Sequence, residues 1–371
     1  MKVESILHTH IAISFIPKLN SNLSLPFVEK CGGIEAFFRE SEDALNALGR
    51  DCNVNIQTFN RKEALAQALL ELKEIEKHDI QTCTYEDDIY PNLLKQCEDV
   101  PLTLYYKGNI QTYTSRKYLA VVGTRKASEP YKELVSRCIE ELQCAKQNLT
   151  IVSGLAYGID AAAHRACIKN DIQTFAVLGH GLHMIYPASH NTLAANILEQ
   201  DGALISEFPC ISKIHPSNFL KRNRIVAGLC QATLVAESAI KGGAMATART
   251  ALSYNREVMA FPGRPHDNYS AGCNLLIKGN IAALVENAKD IADILDLPLQ
   301  QERPIQTALD FFSDEDKSQI IKSTLQKEGD KSIDELSLLS GIPIQELSAL
   351  LLEMELDGKI ISLPGKRFSN R

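Results

Sequence analysis

The stretch TIVSGLAYGIDAAAHRACIKNDIQTFAVLG, residues 150–179, reads as a strand, a glycine turn, a helix and a second strand. TIVS and TFAVL are continuous apolar runs rather than alternating ones, which marks strands buried on both faces. GIDAAAHRACIKN between them places its apolar residues at helical spacing. The same alternation extends outward. YLAVVG and the helix EPYKELVSRCIEELQCAKQ come before it. ASHNTLAANILEQ, ALISEF, TLVAE, GGAMATARTALSYN, EVMAFPG and IAALVE follow. Strands that alternate with helices predict an α/β fold: a mostly parallel sheet over residues 112–297 with helices on both faces and right-handed crossovers.

Around this core the pattern changes. Residues 1–78 read as a helical domain, with AFFRESEDALNAL and RKEALAQALLELKEIEKHDI at helical spacing. Residues 79–111 form a connector that ends in the strand TLYYKG. LDLPLQQERPIQ supplies a linker, placed at 298–305, and residues 306–371 read as a helix-turn-helix followed by a wing, KIISLPGKRFS. The total of 371 residues suits two or three domains at roughly 100–200 residues each. A net charge of -7 argues against indiscriminate nucleic-acid binding but leaves room for a local basic groove. Ten scattered cysteines without a C-x-x-C pair read as small buried hydrophobes of a reducing compartment, with no metal site. MKVESILHTH lacks the features of a signal peptide, and no apolar run is long enough for a membrane span. The expectation is a cytoplasmic protein with no membrane contact.

Nearly every predicted strand ends, at its carboxyl edge, in Gly or a small polar residue: VVGTR, VSGLAYGID, VLGHG, ISEFP, VAESAIKGGAMATA and FPGRP. Ligands of open parallel sheets bind at that edge. Glycine admits close backbone approach, and a helix then begins with unsatisfied N–H groups and a positive dipole end. Repeated over several edges, this composition points to an anion site. For any one of these glycines a plain tight turn is an equal reading. No G-x-x-x-x-G-K-[ST] occurs, and GHGLHM has Met184 where a dinucleotide fingerprint requires glycine. The sheet is therefore Rossmann-like without the dinucleotide site. Asp160 and His164 stand four apart, as an acid–base pair or, more simply, a helix pair or first-turn cap. His180 and His183 lack the companions of a metal site, and Ser153 lacks the partners of a catalytic serine. No catalytic residue, metal or cofactor is assigned.

The densest positive charge lies in HPSNFLKRNRIVAGLC, residues 215–230. Lys221, Arg222 and Arg224 stand within four residues, and no Asp or Glu occurs between Glu207 and Glu237. A charge run is usually a solvated helix face. Here the missing acids, and Arg125 at the carboxyl edge of YLAVVG, favour a groove for a chain of phosphates, which guanidinium forks bind bidentately. Asn223 adds donor and acceptor capacity, and Phe219 and Tyr157 are candidate stacking rings or core residues.

The ordered set VVGTR, SGLAYGIDAAAH, VLGHG, ISEFP, FLKRNRIVAGL, KGGAMATA and REVMAFPG followed by GCNLLIKGN resembles the DNA-processing protein A family, also called DprA or Smf, over nearly the whole chain. The resemblance implies single-stranded DNA binding, loading of the recombinase RecA, protection of incoming DNA in natural transformation, and a homodimer. It implies phosphate contacts for Arg125, Lys221, Arg222 and Arg224, and a groove shaped by Gly154, Gly158, Gly242 and Gly243. With Gly123, Ser153 and Asn223 these make up the candidate DNA-binding residues. The sequence departs from the family in three places. Lys18-Leu19-Asn20 stands where many relatives carry a G-x-G hairpin turn, Leu220 where they have proline, and Gly243 and Ala244 where a serine is usual. Two other readings remain. One is a nucleotide-binding or nucleotide-hydrolysing enzyme of LOG type with Asp160 or Glu237 as acid–base group, though its P-G-G-x-G-T-x-x-E motif is missing. The other assigns DNA binding to the C-terminal domain, whose candidate recognition helix IQELSALLLEMELDG is acidic and without a cation.

Overall fold

A computed structural model describes residues 2–16, 24–51, 59–298 and 314–370. The hairpin-turn departure at 18–20 and all but the first residue of the 298–305 linker lie outside the described residues. The chain divides into two compact units, Met1–Leu299 and Gln300–Arg371.

The first unit is built on a nine-stranded sheet. Its strands are β1 (Gln81–Thr84), β2 (Thr103–Gly108), β3 (Lys117–Val122), β4 (Leu149–Ser153), β5 (Gln173–Leu178), β6 (Ala203–Ser206), β7 (Ala232–Val235), β8 (Glu257–Ala260) and β9 (Ala283–Leu284). The order across the sheet is β1-β2-β6-β5-β4-β3-β7-β8-β9. From β6 to β9 all neighbours are parallel, while β2 runs antiparallel to β6 and β1 antiparallel to β2. The mostly parallel α/β sheet expected from the apolar runs is therefore present. The segment read as a connector adds two strands to it, one of them, β1, unforeseen.

Each buried strand divides its side chains between two cores with a period of two. In β3, Tyr118, Ala120 and Val122 enter one core and Leu119 and Val121 the other. In β5, Phe175 and Val177 face the first core, while Ala176 and Leu178 pack with Ile11, Phe27, Phe37, Ala64 and Ala68 of the N-terminal helices. Those helices are α1 (Lys2–Ala12), α2 (Ser24–Lys30), α3 (Ile34–Arg39), α4 (Glu42–Asp51) and α5 (Arg61–Lys77). AFFRESEDALNAL is two helices rather than one. The chain turns at Glu40, and the Ser41 hydroxyl accepts from Ala44 N at 3.2 Å to start α4. The remaining helices of this unit are α6 (Asn92–Lys95), α7 (Glu129–Glu141), α8 (Ile159–Lys169), α9 (Asn191–Glu199), α10 (Pro216–Gly228), α11 (Gly243–Ser253), α12 (Ala271–Lys278) and α13 (Ala288–Leu295).

One buried carboxylate ties α5 to the loop ahead of α10. Glu71, fully buried, accepts from Cys210 N at 2.7 Å and Ile211 N at 3.0 Å. Among the described residues no helix is long and apolar enough to cross a membrane.

The second unit has helices α14 (Asp314–Glu328), α15 (Ile333–Ser340) and α16 (Ile344–Leu356) around its own core of Ile321, Leu336, Leu347, Leu351 and Met354. KIISLPGKRFS is a hairpin, β11 (Ile360–Leu363) and β12 (Arg367–Asn370), with β10 (Lys331–Ser332) paired to β12. Ser332 and Glu335 close a capping box on α15. This is the winged-helix arrangement read from the sequence.

Glu71→Ala leaves one buried and one partly buried N–H group without an acceptor. Chemical denaturation is expected to register a loss of about 2 kcal/mol or more, and Glu71→Gln, which keeps one acceptor, a smaller loss.

Candidate nucleic-acid interface

The strand order reverses between β3 and β7: β3 leads on to β4 on one side, and β7 to β8 on the other. Such a switch point opens a crevice at the carboxyl ends of the strands. An open cleft of about 350 Å³ lies there. Gly123, Thr124 and Arg125 line it from the end of β3, and Ala156 and Asp160 from the start of α8. Pro216, Phe219, Leu220, Arg222 and Asn223 come from α10, and Gly242, Gly243, Ala244 and Thr247 from α11. The N-terminal ends of α10 and α11 thus border the cleft and add positive dipole ends.

The three cations of α10 separate by helical rotation. Arg222 turns inward. Only 4% exposed, it donates through Nη1 to Val177 O, and its Nε finds no partner. Burial lowers its pKa, and Asp160 counteracts that most strongly. Arg224, two residues on, lies on the opposite side of the helix, where it pairs with Glu207 and donates to Asp99 O, with Asp99 Oδ2 at 3.7 Å from Nε. Lys221 sits toward the same carboxylate, whose pKa it helps to lower, and is exposed outside the cleft lining. Of the three cations expected to meet phosphate, Arg222 lines the cleft, Lys221 is exposed outside its lining and Arg224 is ion-paired. Arg224 is a strut between α10, β6 and the segment before β2, since its acidic partners come from distant sequence.

Asp160 accepts from Gly154 N at 3.1 Å and Ala156 N at 3.4 Å, so it caps the turn into α8. Burial raises its pKa, with Arg222 the foremost opposing influence. It makes no pair with His164, which shares a 2.8 Å hydrogen bond with the Thr174 hydroxyl. Burial pushes the His164 pKa down to about 3. Glu237 is likewise engaged, accepting from Ser128 N at 2.8 Å and Ser128 Oγ at 2.9 Å. His180 is held by the backbone, its Nε2 accepting from Tyr186 N at 3.2 Å.

The candidate glycines do different work. A Cβ on Gly154 would stand 1.9 Å from Arg222 Nη1, so this glycine makes room for the guanidinium. Gly158 takes φ +77°, and a Cβ there would meet Thr124 O at 2.2 Å. Only glycine lets α8 start that close to the β3 turn. Gly243 faces open space. Ser153 is fully buried and donates to Val121 O at 2.7 Å, so it supports the cleft from beneath and offers it no surface.

Rings flank the cleft. Arg125, exposed, holds its Cζ 5.7 Å from the Phe219 ring centroid, and Tyr186 lies 5.7 Å from the same ring. Tyr186 and Tyr157 are about half exposed, and the Tyr157 hydroxyl is 3.0 Å from Ser189 Oγ. Tyr186 and the exposed Lys241, next to Gly242, were not among the candidate DNA-binding residues. Tyr186 follows a turn of no regular period, and Lys241 stands alone rather than in a run.

A family model described as DNA recombination-mediator protein A matches residues 81–296, and one described as DprA winged helix domain matches residues 315–366. Protein Smf of Escherichia coli K12 is 37% identical over 312 residues, 83% of this chain and 81% of the relative. An X-ray structure of DNA processing protein A from Streptococcus pneumoniae aligns with TM-score 0.57 at 29% identity, covering 76% of this chain and 99% of that one. DNA processing protein A from Helicobacter pylori, described for its single-stranded DNA binding mode, aligns with TM-score 0.52 at 27% identity, covering 59% of this chain and 98% of that one.

Removing one side of the Arg224–Glu207 pair strands a buried charge. Arg224→Ala is expected to lose about 3–5 kcal/mol in a thermal melt. The double replacement Arg224→Met with Glu207→Leu is expected to recover most of it. Arg125→Ala, at an exposed site, is expected to melt like the parent.

Proposed function

The chain belongs to the DNA recombination-mediator protein A family, and on that premise we propose that the cleft between α8, α10 and α11 holds the phosphate chain of single-stranded DNA. The observation that carries the reading is a cleft with the buried Arg222 in its lining and the exposed Arg125 at its rim. Among the described residues Asp160 is the one carboxylate in the lining, and it is already occupied by backbone N–H groups. Lys241 adds a second exposed cation, next to the start of α11. Backbone approach is open at Gly243, which suits oxygen-rich ligands met by N–H groups. Phe219, Tyr186 and Tyr157 then offer faces on which successive bases stack, a mode that tolerates any base. The single-stranded DNA binding mode described for the Helicobacter pylori relative supports the same ligand here.

The function follows as handing bound single strands to a recombinase of RecA type during uptake of DNA, in a cytoplasmic homodimer. The family description as a recombination mediator supports that step. The role is binding rather than catalysis. Asp160 and Glu237, the two carboxylates a nucleotide hydrolase of this shape would need free, are both spent on the fold. Nothing in the cleft favours the hydrolase reading over DNA.

Fluorescence anisotropy with a labelled single-stranded oligonucleotide tests the site across a salt series. Arg125→Ala and Lys241→Ala are each expected to weaken binding by about 1.5–3 kcal/mol, and each to flatten the salt slope by about 0.7. Tyr186→Ala is expected to weaken binding by about 1–3 kcal/mol with the slope unchanged. Parent-like affinity in a folded Arg125→Ala, Lys241→Ala double variant at moderate salt would remove the ligand from this cleft.

A further inference from the structure

The helix-turn-helix pair of the C-terminal unit has an outer surface that its own fold does not use. The inner face of α16 packs Leu347, Leu350, Leu351 and Met354 into the core. On the other side, Ile344, Ser348, Leu352 and Leu356 follow at four-residue intervals and are all exposed, Leu352 by 59% and Leu356 by 81%. The Ser348 hydroxyl turns back to Ile344 O at 2.7 Å, so it leaves no polar interruption in that stripe. On α15, Leu338 is 86% exposed and Leu339 stands beside it, also exposed. A helix that is apolar on both sides is normally buried on both. Large exposed apolar residues gathered on one element mark a contact surface.

Charge selects what covers it. Residues 333–357 contain six Asp or Glu and no Lys or Arg; Glu346 pairs with Lys317 and Asp357 with Lys359, while Glu353, beside the stripe, is exposed. A winged helix that reads duplex DNA offers cations and donors on its second helix. Here phosphates would meet carboxylates and leucines. A second copy of the same face would oppose carboxylate to carboxylate. An occupant that satisfies both properties is cationic and apolar along one helical stripe.

We propose that this surface docks a basic amphipathic helix of a protein partner, its apolar residues on the Ile344–Leu352–Leu356 stripe and its Lys or Arg residues beside the exposed Glu353. The surface belongs to the unit that the DNA cleft does not involve, and its test is separate from that of the cleft.

The test uses the full chain and two synthetic peptides of identical Lys and Leu composition, one with leucines at four-residue spacing and one scrambled. Isothermal titration is expected to show the striped peptide binding at least about tenfold tighter than the scrambled one. Leu352→Ser with Leu356→Ser, and separately Glu353→Lys, are each expected to reduce that affinity by about tenfold, with melting temperature and single-stranded DNA affinity as in the parent. Equal binding of both peptides, or parent-like binding by the variants, overturns the proposal. So does concentration-dependent sedimentation that the leucine variant abolishes, which assigns the face to a second copy. Duplex DNA binding lost in the same variant overturns it in favour of DNA.

Discussion

Arg222 carries a guanidinium into a place that water scarcely reaches, and the neighbourhood of the cleft is arranged around that fact. A buried cation is tolerated only where neighbouring groups replace its hydration. Val177 O accepts from it, Asp160 supplies a compensating field, and Gly154 withholds a side chain that would collide with it. Asp160 in turn holds Gly154 N and Ala156 N, so the carboxylate that balances Arg222 also shapes the turn into α8. Strand end, glycine turn, helix start and basic helix therefore form one linked unit. The buried Nε of Arg222 remains without a partner. The result is a held guanidinium in the lining of a cleft that also has the exposed Arg125 at its edge.

The division of labour among the α10 cations follows from rotation of about 100° per residue. Positions 222 and 224 are two steps apart and cannot share a face. One enters the cleft lining, and the other meets Glu207 and Asp99. Counting acids along the local sequence misled because ion pairs form across space. Asp99 arrives from the segment before β2 and Glu207 from the end of β6, outside the acid-free window. Burial raises the Glu207 pKa while Arg224 and Lys221 pull it back, which makes this side of α10 self-contained.

What was legible in the chain was what period and composition encode directly. Strands β3 to β8 are buried on both faces, so each appears as an unbroken apolar run, and α8, α10 and α11 begin where those runs end. β1 was not legible. Its four residues QTCT have no apolar run, and their strand state comes from pairing with β2. The break between α3 and α4 was also hidden, because the apolar spacing continues across it while Ser41 caps a new helix. Of the candidate residues, Gly123, Arg125, Arg222, Asn223, Gly242 and Gly243 meet at one cleft, as chain order at a sheet edge implies. Ser153, Gly154 and Gly158 lie behind it, since a motif marks the place of a turn without telling its surface from its support.

The same logic extends to the N-terminal helices. Glu207, Cys210 and Ile211 belong to one short loop between β6 and α10. Arg224 of α10 grips its first residue, and Glu71 of α5 grips the backbone of the other two. The loop is thus pinned from the helix it precedes and from a helix far earlier in the chain. Each anchor rests on a buried carboxylate, Glu207 of the loop itself in one and Glu71 of α5 in the other, so each loses a buried charge's partners when displaced. The position of α10, and with it Arg222 and Phe219 at the cleft, is therefore referenced to the sheet on one side and to α5 on the other. The N-terminal helices need no DNA contact of their own to matter for the site. Their packing against β2 and β5 sets the position of the carboxylate that holds the loop ahead of α10.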